Sequence, residues 1–461
     1  MQPPRRSRQG PGDSQPAHAG ARASRAAPRR WDEARAEAYL RSLELFGMRF
    51  GLDKMRRMMT VLGAPQLRYG TIHVVGTNGK TSTAQMTDAI LRQHGLRSGL
   101  YTSPHLTGYR ERVRVDGEQL DGEQFAAAVQ RAAWASDRVN RTLPGDDHVT
   151  QFELLTAAAL WEMARREVQV AVVEAGLGGR YDATSVIDSR VTVLTNVALE
   201  HTRWLGPTVR DIAEEKLAVV RRGATLVLGA AIAAPALSVA KRVARAQGAR
   251  VLQADPDSPA SPALPARGRF QRANFAAARL AAQVYLDEHG VALDEDAVAR
   301  AAAGTDVAGR LQVIGEDPLT VLDGAHNPHA VEALIDSLPE VVGKQPVALV
   351  MGVLEDKDAA AMLERLLGVC ERAWFTAPPS PRALSPAALA SRARQLQFAD
   401  AECEADPHLA LACAQRWARE RGAAVLATGS VYLVGELLTA TADRLKDGAQ
   451  PAAERRRGGS A

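Results

Sequence analysis

Apolar residues fall along this chain in short blocks, separated by longer stretches in which they recur every three or four positions. The short blocks predict strands at 71–76 (TIHVVG), 168–175 (VQVAVVEA), 191–197 (VTVLTNV), 225–229 (TLVLG), 319–323 (LTVLD), 347–353 (VALVMGV) and 424–428 (AVLAT). Several are β-branched and apolar at successive positions, the pattern of strands covered by helices on both faces. The longer stretches predict helices at 80–94, 151–166, 207–222, 271–289 and 328–337. Strand and helix alternate through the body, which predicts an α/β fold with mainly parallel sheets. A Pro/Ala/Ser-rich stretch at 254–266 reads as a loop, and GTDVAGR at 304–310 as the main break. The expected plan is a domain over 31–304, a linker over 305–310 and a smaller domain over 311–446, with disordered tails at 1–30 and 447–461.

Charge changes the picture of the ends. The 461 residues carry a formal net charge of +4, which invites a nucleic-acid partner. Residues 1–30 hold seven Arg against one Asp, and 451–461 three Arg against one Glu, so residues 31–450 carry −4. The first 30 residues contain no Leu, Ile, Val or aromatic, too little apolar surface to offset ordering entropy. No apolar run reaches membrane-spanning length, and the three cysteines are too few and too dispersed for a disulfide framework or zinc site. The expectation is a cytoplasmic monomer acting on small molecules, with neither nucleic acid nor membrane as partner.

The strongest chemical signal is HVVGTNGKTST at 73–83, in which an apolar strand runs through Gly76-Thr77-Asn78-Gly79-Lys80-Thr81 into a helix pattern. That is the context of a phosphate loop. Its glycines let backbone N–H groups approach phosphate oxygens, the helix start favours an anion, Lys80 reaches the β- and γ-phosphates, and the Thr81 hydroxyl faces a metal ion. The usual spacing is incomplete, since Val74 occupies the first glycine position. Other candidates stand at strand ends, where ligands bind in open α/β sheets. Glu174 is either a magnesium ligand or a surface carboxylate, and His201 either a ligand or a structural residue. By composition Lys216, beside Glu214 and Glu215, reads as part of a solvated helix face.

GTNGKTS resembles the ATP loop of the Mur ligases, which couple ATP cleavage to amide-bond formation. TSPHL (102–106), ERVRV (111–115), EAGLGGRYDAT (174–184), ALEHTRWLG (198–206), EEK (214–216), GR (309–310), LDGAHNP (322–328) and TGS (428–430) narrow the resemblance to the folylpolyglutamate synthase/dihydrofolate synthase family. It implies an N-terminal P-loop ATPase-type domain with a mainly parallel sheet and a smaller C-terminal Rossmann-like α/β glutamate-ligase domain. It implies ATP contacts at Thr77, Asn78, Gly79, Lys80, Thr81, Asn274, Arg310 and Asp323. Two Mg²⁺ sites are implied around Ser103, Glu174, His201 and Lys216, the last as a carbamate, with Lys80, His326 and Lys216 as catalytic residues. The pterin side would involve Ser42, Leu43, Glu44, Leu45, Thr150, Tyr181, Asp182 and Ala183, with a weaker substrate contact at Ser430. Thr150 also reads as the N-cap of the next helix, with Glu153 completing a capping box; the two readings are compatible. Glu200 stands where the family commonly has Asp, and Leu217-Ala218 where it has small residues.

The resemblance implies transfer of the ATP γ-phosphoryl group to a carboxylate, and attack of the glutamate amine on the acyl phosphate. The acceptor is dihydropteroate, the γ-carboxylate of a reduced folate, or both. A cell-wall Mur-type amino-acid ligase is the nearest rival, but residues 31–72 are too few for the UDP-binding domain such enzymes place before the loop. A nucleic-acid-associated NTPase would need the charge that lies in the tails.

Overall fold

The computed structural model describes residues 30–43, 51–258 and 262–448. The expected tails and the pterin-side candidates Glu44 and Leu45 lie outside the described residues, apart from the ends 30 and 447–448. Two sheets organise the chain. The first contains β1 (Gly70–Val75), β2 (Ser98–Tyr101), β3 (Val113–Val115), β4 (Glu118–Gln119), β5 (Val170–Glu174), β6 (Val191–Leu194), β7 (Thr225–Leu228) and β8 (Arg250–Gln253), in the order β4-β3-β2-β5-β1-β6-β7-β8. The second contains β9 (Gln312–Glu316), β10 (Leu319–Leu322), β11 (Val347–Met351), β12 (Arg372–Phe375), β13 (Ala401–Cys403) and β14 (Ala424–Thr428), in the order β13-β12-β11-β14-β10-β9. Pairing is parallel except for β3, β4 and β9. The α/β expectation is met, with antiparallel strands only at one edge of each sheet.

Both faces of the central parallel strands are buried, as their continuous apolar runs require. In β5, Val170 and Val172 join one core with Ile72, Met86, Ile90 and Phe275. Ala171 and Val173 point the other way, into a second core with Tyr101, Phe125 and Leu160. The second sheet repeats this, with Leu349 and Phe375 on one side and Val350 and Trp374 on the other. All seven expected strands form. The unforeseen seven include β3, β4 and β13, three residues or fewer and too short to show a period.

One expected helix is shortened. The 207–222 stretch forms a helix only over Val209–Leu217, opened by Thr208 and Asp211 in a capping box. Val219 and Val220 instead join the core against Leu226 and Leu228, and Gly223 at φ 69° turns the chain into β7.

The carboxyl ends of the two sheets face one another across a shared cavity. The helix Val431–Gly448 presents Gly435 to the first domain so closely that a Cβ there would overlap the Leu106 carbonyl oxygen. Ala is a better helix former than Gly, so Gly435→Ala acts on the approach of the domains and not on the helix. It should lower turnover in the glutamate ligation that the resemblance implies at least tenfold while leaving far-ultraviolet circular dichroism unchanged.

Candidate active site

A cavity of about 690 Å³ is lined by the loops that follow β1, β2, β5, β6, β10 and β14. The loop after β1 carries Gly76 at φ 153° and Gly79 at φ 79°, opening directly into the helix Lys80–Gln93. Added Cβ atoms would strike the Thr195 hydroxyl at Gly76 and the Asn274 side chain at Gly79, so neither position has room for one. The loop is held from β6: Thr195 Oγ1 donates to the Asn78 carbonyl at 2.7 Å, and Asn78 N–H donates to Asn196 Oδ1 at 2.9 Å. Thr77 exchanges hydrogen bonds with the backbone of Ala198. Lys80 Nζ donates to the Thr77 carbonyl at 3.1 Å, folding its ammonium back over the loop.

Glu174, the last residue of β5, is buried against this loop. Its carboxylate accepts from Thr81 Oγ1 at 2.9 and 3.0 Å and from the Ser103 N–H at 3.0 Å. Burial pushes its pKa up to about 7, against the charge of Lys80 and the hydrogen bonds from Ser103 and Thr81. A buried carboxylate with two hydroxyl-bearing neighbours offers the hard oxygens that magnesium prefers. This donor set fits one such ion beside nucleotide phosphates. Among the described residues no group of three or more His, Cys, Asp or Glu side chains could hold a metal ion alone. A nucleotide-bound magnesium needs few protein ligands, because phosphate and water supply the rest.

His201 lines the same cavity, in a left-handed backbone conformation at φ 51°. Its Nε2 lies 3.9 Å from Glu200. Burial, then the charge of Lys357, lowers its pKa to about 4, which keeps the imidazole neutral and able to ligate. Glu200 itself is a hub between the domains. His326 Nε2 lies 3.3 Å away and Lys357 Nζ 3.0 Å away, both from the C-terminal domain. Burial opposes the charge of Glu200, but the hydrogen bond and charge of His326 and the charge of Lys357 hold it well below the usual carboxylate range.

Lys216 is not on a solvated face. It is buried, and Nζ donates to the Gly76 carbonyl at 2.8 Å, tying the helix Val209–Leu217 to the phosphate loop. Burial, then the charge of Lys80, lowers its pKa to about 7. The backbone packing is close here, since a Cβ on Gly179 would overlap the carbonyls of Glu215 and Lys216.

The C-terminal domain completes the wall. Asp323, just past β10, accepts from the N–H groups of Leu311 at 2.9 Å and Ala325 at 2.8 Å. The first bond holds Leu311 in a left-handed conformation at φ 46°, which sets the direction of Arg310 immediately before it. Arg310 Nη1 bonds the Gly309 carbonyl at 2.9 Å and lies against Gly324. Asn78 and Asn327 exchange side-chain amide bonds at 3.2 and 2.9 Å, linking the phosphate loop directly to the N-cap of the helix Pro328–Ser337. Asn274, Arg310, Asp323, His326 and Ser430 all line the cavity, as do Thr77, Asn78, Gly79, Lys80, Thr81, Ser103, Glu174, His201 and Lys216.

The pterin-side candidates divide. Thr150, Tyr181, Asp182 and Ala183 line the cavity. Thr150 also forms the capping box with Glu153, so it occupies both expected positions. Asp182 accepts from the Leu177 and Thr184 N–H groups, a clamp that shapes the Gly-rich loop. Ser42 and Leu43 are not among the cavity-lining residues, and the Ser42 hydroxyl is bonded to the Tyr39 carbonyl at 2.7 Å. Sequence reasoning passed over Thr195, Asn196, Asn327, Lys357 and Arg112. Asn327 and Arg112 lay inside the quoted LDGAHNP and ERVRV motifs; nothing in sequence marked Lys357, whose partner is 157 residues away.

Two family descriptions match this architecture: the Mur ligase middle domain over residues 74–253, and the Mur ligase glutamate ligase domain over 309–431. The folylpolyglutamate synthase of Lacticaseibacillus casei is 36% identical over 357 residues, covering 72% of this chain and 83% of the relative. The chain belongs to the folylpolyglutamate synthase/dihydrofolate synthase family. The dihydrofolate synthase/folylpolyglutamate synthase of Escherichia coli K12 is 33% identical over 358 residues, covering 74% of this chain and 80% of the relative. A solved structure of E. coli FolC in complex with DHPP and ADP superposes with a TM-score of 0.79 at 28% identity, covering 90% of this chain and 99% of that one.

Among the described residues no helix is long and apolar enough to cross a membrane. A proton must leave Glu174 before its carboxylate can hold a cation. Mg²⁺ affinity, followed by calorimetry in the presence of ADP, should therefore climb from pH 5 to about 7 and level off above; Glu174→Gln should abolish the rise.

Proposed function

We propose that this chain is an ATP-dependent ligase that adds L-glutamate to dihydropteroate and to the γ-carboxylate of tetrahydrofolates, through an acyl phosphate. The observation that carries the reading is the convergence on one cavity of Lys80, the Glu174–Thr81 pair and Lys216 with Arg310, Asp323 and His326 of the other domain. Phosphate-handling groups stand on one side and the glutamate-ligase domain on the other. The named activities of the relatives support both acceptors.

A carboxylate resists attack because the incoming amine must build more negative charge on it. The acceptor carboxylate oxygen first attacks the γ-phosphorus of ATP, and the bond to the ADP oxygen breaks. The glutamate amine then attacks the acyl carbon, inorganic phosphate leaves, and the amine proton passes to solvent. The loop N–H groups and Lys80 hold the phosphates, and Arg310 approaches them from the second domain. His326 Nδ1 donates to the Gly324 carbonyl at 2.8 Å and its Nε2 faces Glu200 at 3.3 Å, which fixes the ring in the cavity wall beside the place for the transferred phosphoryl group or the incoming amino acid. Glu174, Thr81, Ser103 and His201 would hold a magnesium ion, which neutralises charge on the phosphates. As a carbamate Lys216 would hold a second ion: burial favours its neutral amine, the form that adds carbon dioxide.

The deciding assay supplies ATP, glutamate and either dihydropteroate or tetrahydrofolate; a folded protein that forms an amide with neither would refute the reading. Lys80→Ala should reduce turnover at least a thousandfold without lowering the thermal midpoint by more than a few degrees. Near-normal kcat in that variant would sink the phosphate-loop assignment. Stripping carbon dioxide from the buffers should lower activity several-fold, with recovery on adding bicarbonate and a carbamate carbon signal in the ¹³C spectrum that Lys216→Ala lacks.

A further inference from the structure

The cations of the cavity wall are spoken for, with one exception. Lys80, Lys216 and Arg310 belong to the phosphate end. Lys357 and Arg382 pair with carboxylates, Lys357 with Glu200 at 3.0 Å and Arg382 with Asp356 at 3.2 Å, and Arg269 lies 3.8 Å from Glu340. Arg112 also lines the cavity, at 9% exposure, yet among the described residues no carboxylate stands within ion-pair distance of it. Its neighbour Glu111 is turned away, its carboxylate accepting from the N–H groups of Leu106, Thr107 and Gly108.

The guanidinium is nevertheless firmly placed. Its Nε donates to His105 Nδ1 at 3.0 Å, and its carbon lies 5.9 Å from the Tyr109 ring centre. The backbone around it is fixed: the Arg112 carbonyl accepts from Thr102 N–H at 2.9 Å, one residue from Ser103 and so beside Glu174. Tyr109 is bonded in turn to Gln151, next to Thr150 on the acceptor side of the cavity. A charge held in a largely buried position without a counter-ion costs stability, and such an arrangement is retained where a ligand completes it. Nε is committed to His105 and the guanidinium also bonds toward the Tyr101 hydroxyl, which leaves the remaining Nη hydrogens for a carboxylate, the partner whose geometry guanidinium binds best.

We infer that Arg112 binds the α-carboxylate of the terminal glutamyl residue of a folate acceptor, and thereby presents its γ-carboxylate to ATP. The inference rests on the folate-ligase reading and adds a specificity to it. Dihydropteroate has a single carboxylate, which is consumed in the reaction and leaves nothing for such an anchor. A glutamylated folate has two, and only one is to react. Arg112 is therefore a specificity residue for the second kind of acceptor and sets which of the two carboxylates is extended.

The test compares wild type, Arg112→Gln and Arg112→Lys with dihydropteroate and with monoglutamyl tetrahydrofolate, measuring kcat, KM and the linkage of the product. Arg112→Gln should lower kcat/KM for tetrahydrofolate about 10- to 100-fold, mostly through KM, while changing that for dihydropteroate less than about threefold. Its tetrahydrofolate product should contain α-linked as well as γ-linked amide, and Arg112→Lys should recover part of both losses. Retained dihydropteroate activity serves as the control for folding. Equal loss on both acceptors, or no loss on either, overturns the inference, as does a wild type that extends dihydropteroate alone. Where wild type extends tetrahydrofolate alone, the linkage decides: α-linked product from Arg112→Gln supports the anchor, and pure γ-product with unchanged KM overturns it. A wild type inert toward both acceptors removes the functional reading itself and this inference with it.

Discussion

A carboxylate withdrawn from water must find its partners within the protein, and Glu174 has been given two hydrogen-bond donors and a nearby ammonium. Those partners are incomplete compensation, which is why its proton is held so tightly. The rest of the N-terminal site depends on this deficit. Thr81 is turned toward Glu174 because the helix after the loop begins one residue earlier. Ser103 arrives because β2 pairs with β5 and ends beside it. The carboxylate thus stands at the meeting point of three strand ends, against the phosphate loop.

The second domain contributes through contacts that cross the interface and through its own internal pins. Asp323 fixes the direction of Arg310, and Glu200 collects His326 and Lys357 from two different loops. Most of these bonds are buried, where an unmatched charge or amide is costly. The geometry of the catalytic groups is consequently tied to how the domains dock, more than to the stability of either sheet. The near contact of Gly435 with Leu106 is the steric side of the same requirement.

The parallel core of the fold was legible in the chain because buried strands write unbroken apolar runs, as at 170–174 and 347–351. The phosphate loop was legible because it is local: strand, turn glycines, lysine and helix lie within a dozen residues. Lys216 was misleading for the opposite reason. Its helix is rich in charge, and only the three-dimensional approach to the Gly76 carbonyl, 140 residues away, removes its amine from water. The family resemblance implied Ser42 on the pterin side, and its hydroxyl is bonded to the Tyr39 carbonyl of its own helix. The Glu200 cluster could not be read at all, since Lys357 and His326 join it only through the docking of a separate sheet. The net charge also changed meaning once it was located: a body at −4 handles anionic substrates with a handful of placed cations.

The paired amides of Asn78 and Asn327 have a consequence for how freely the two domains could be exchanged between relatives. Each amide is donor and acceptor to the other, so the pair is satisfied only when both residues are present and correctly facing. One belongs to the loop that cradles phosphate and the other caps the first helix of the partner domain. Whatever stiffens the loop therefore also favours the docked arrangement, and the reverse holds by linkage. A chimaera could keep the nucleotide-binding half but take its other half from a protein lacking this asparagine. It would lose one of the contacts that tie the phosphate loop to the docked second domain, beside those of Glu200 with His326 and Lys357.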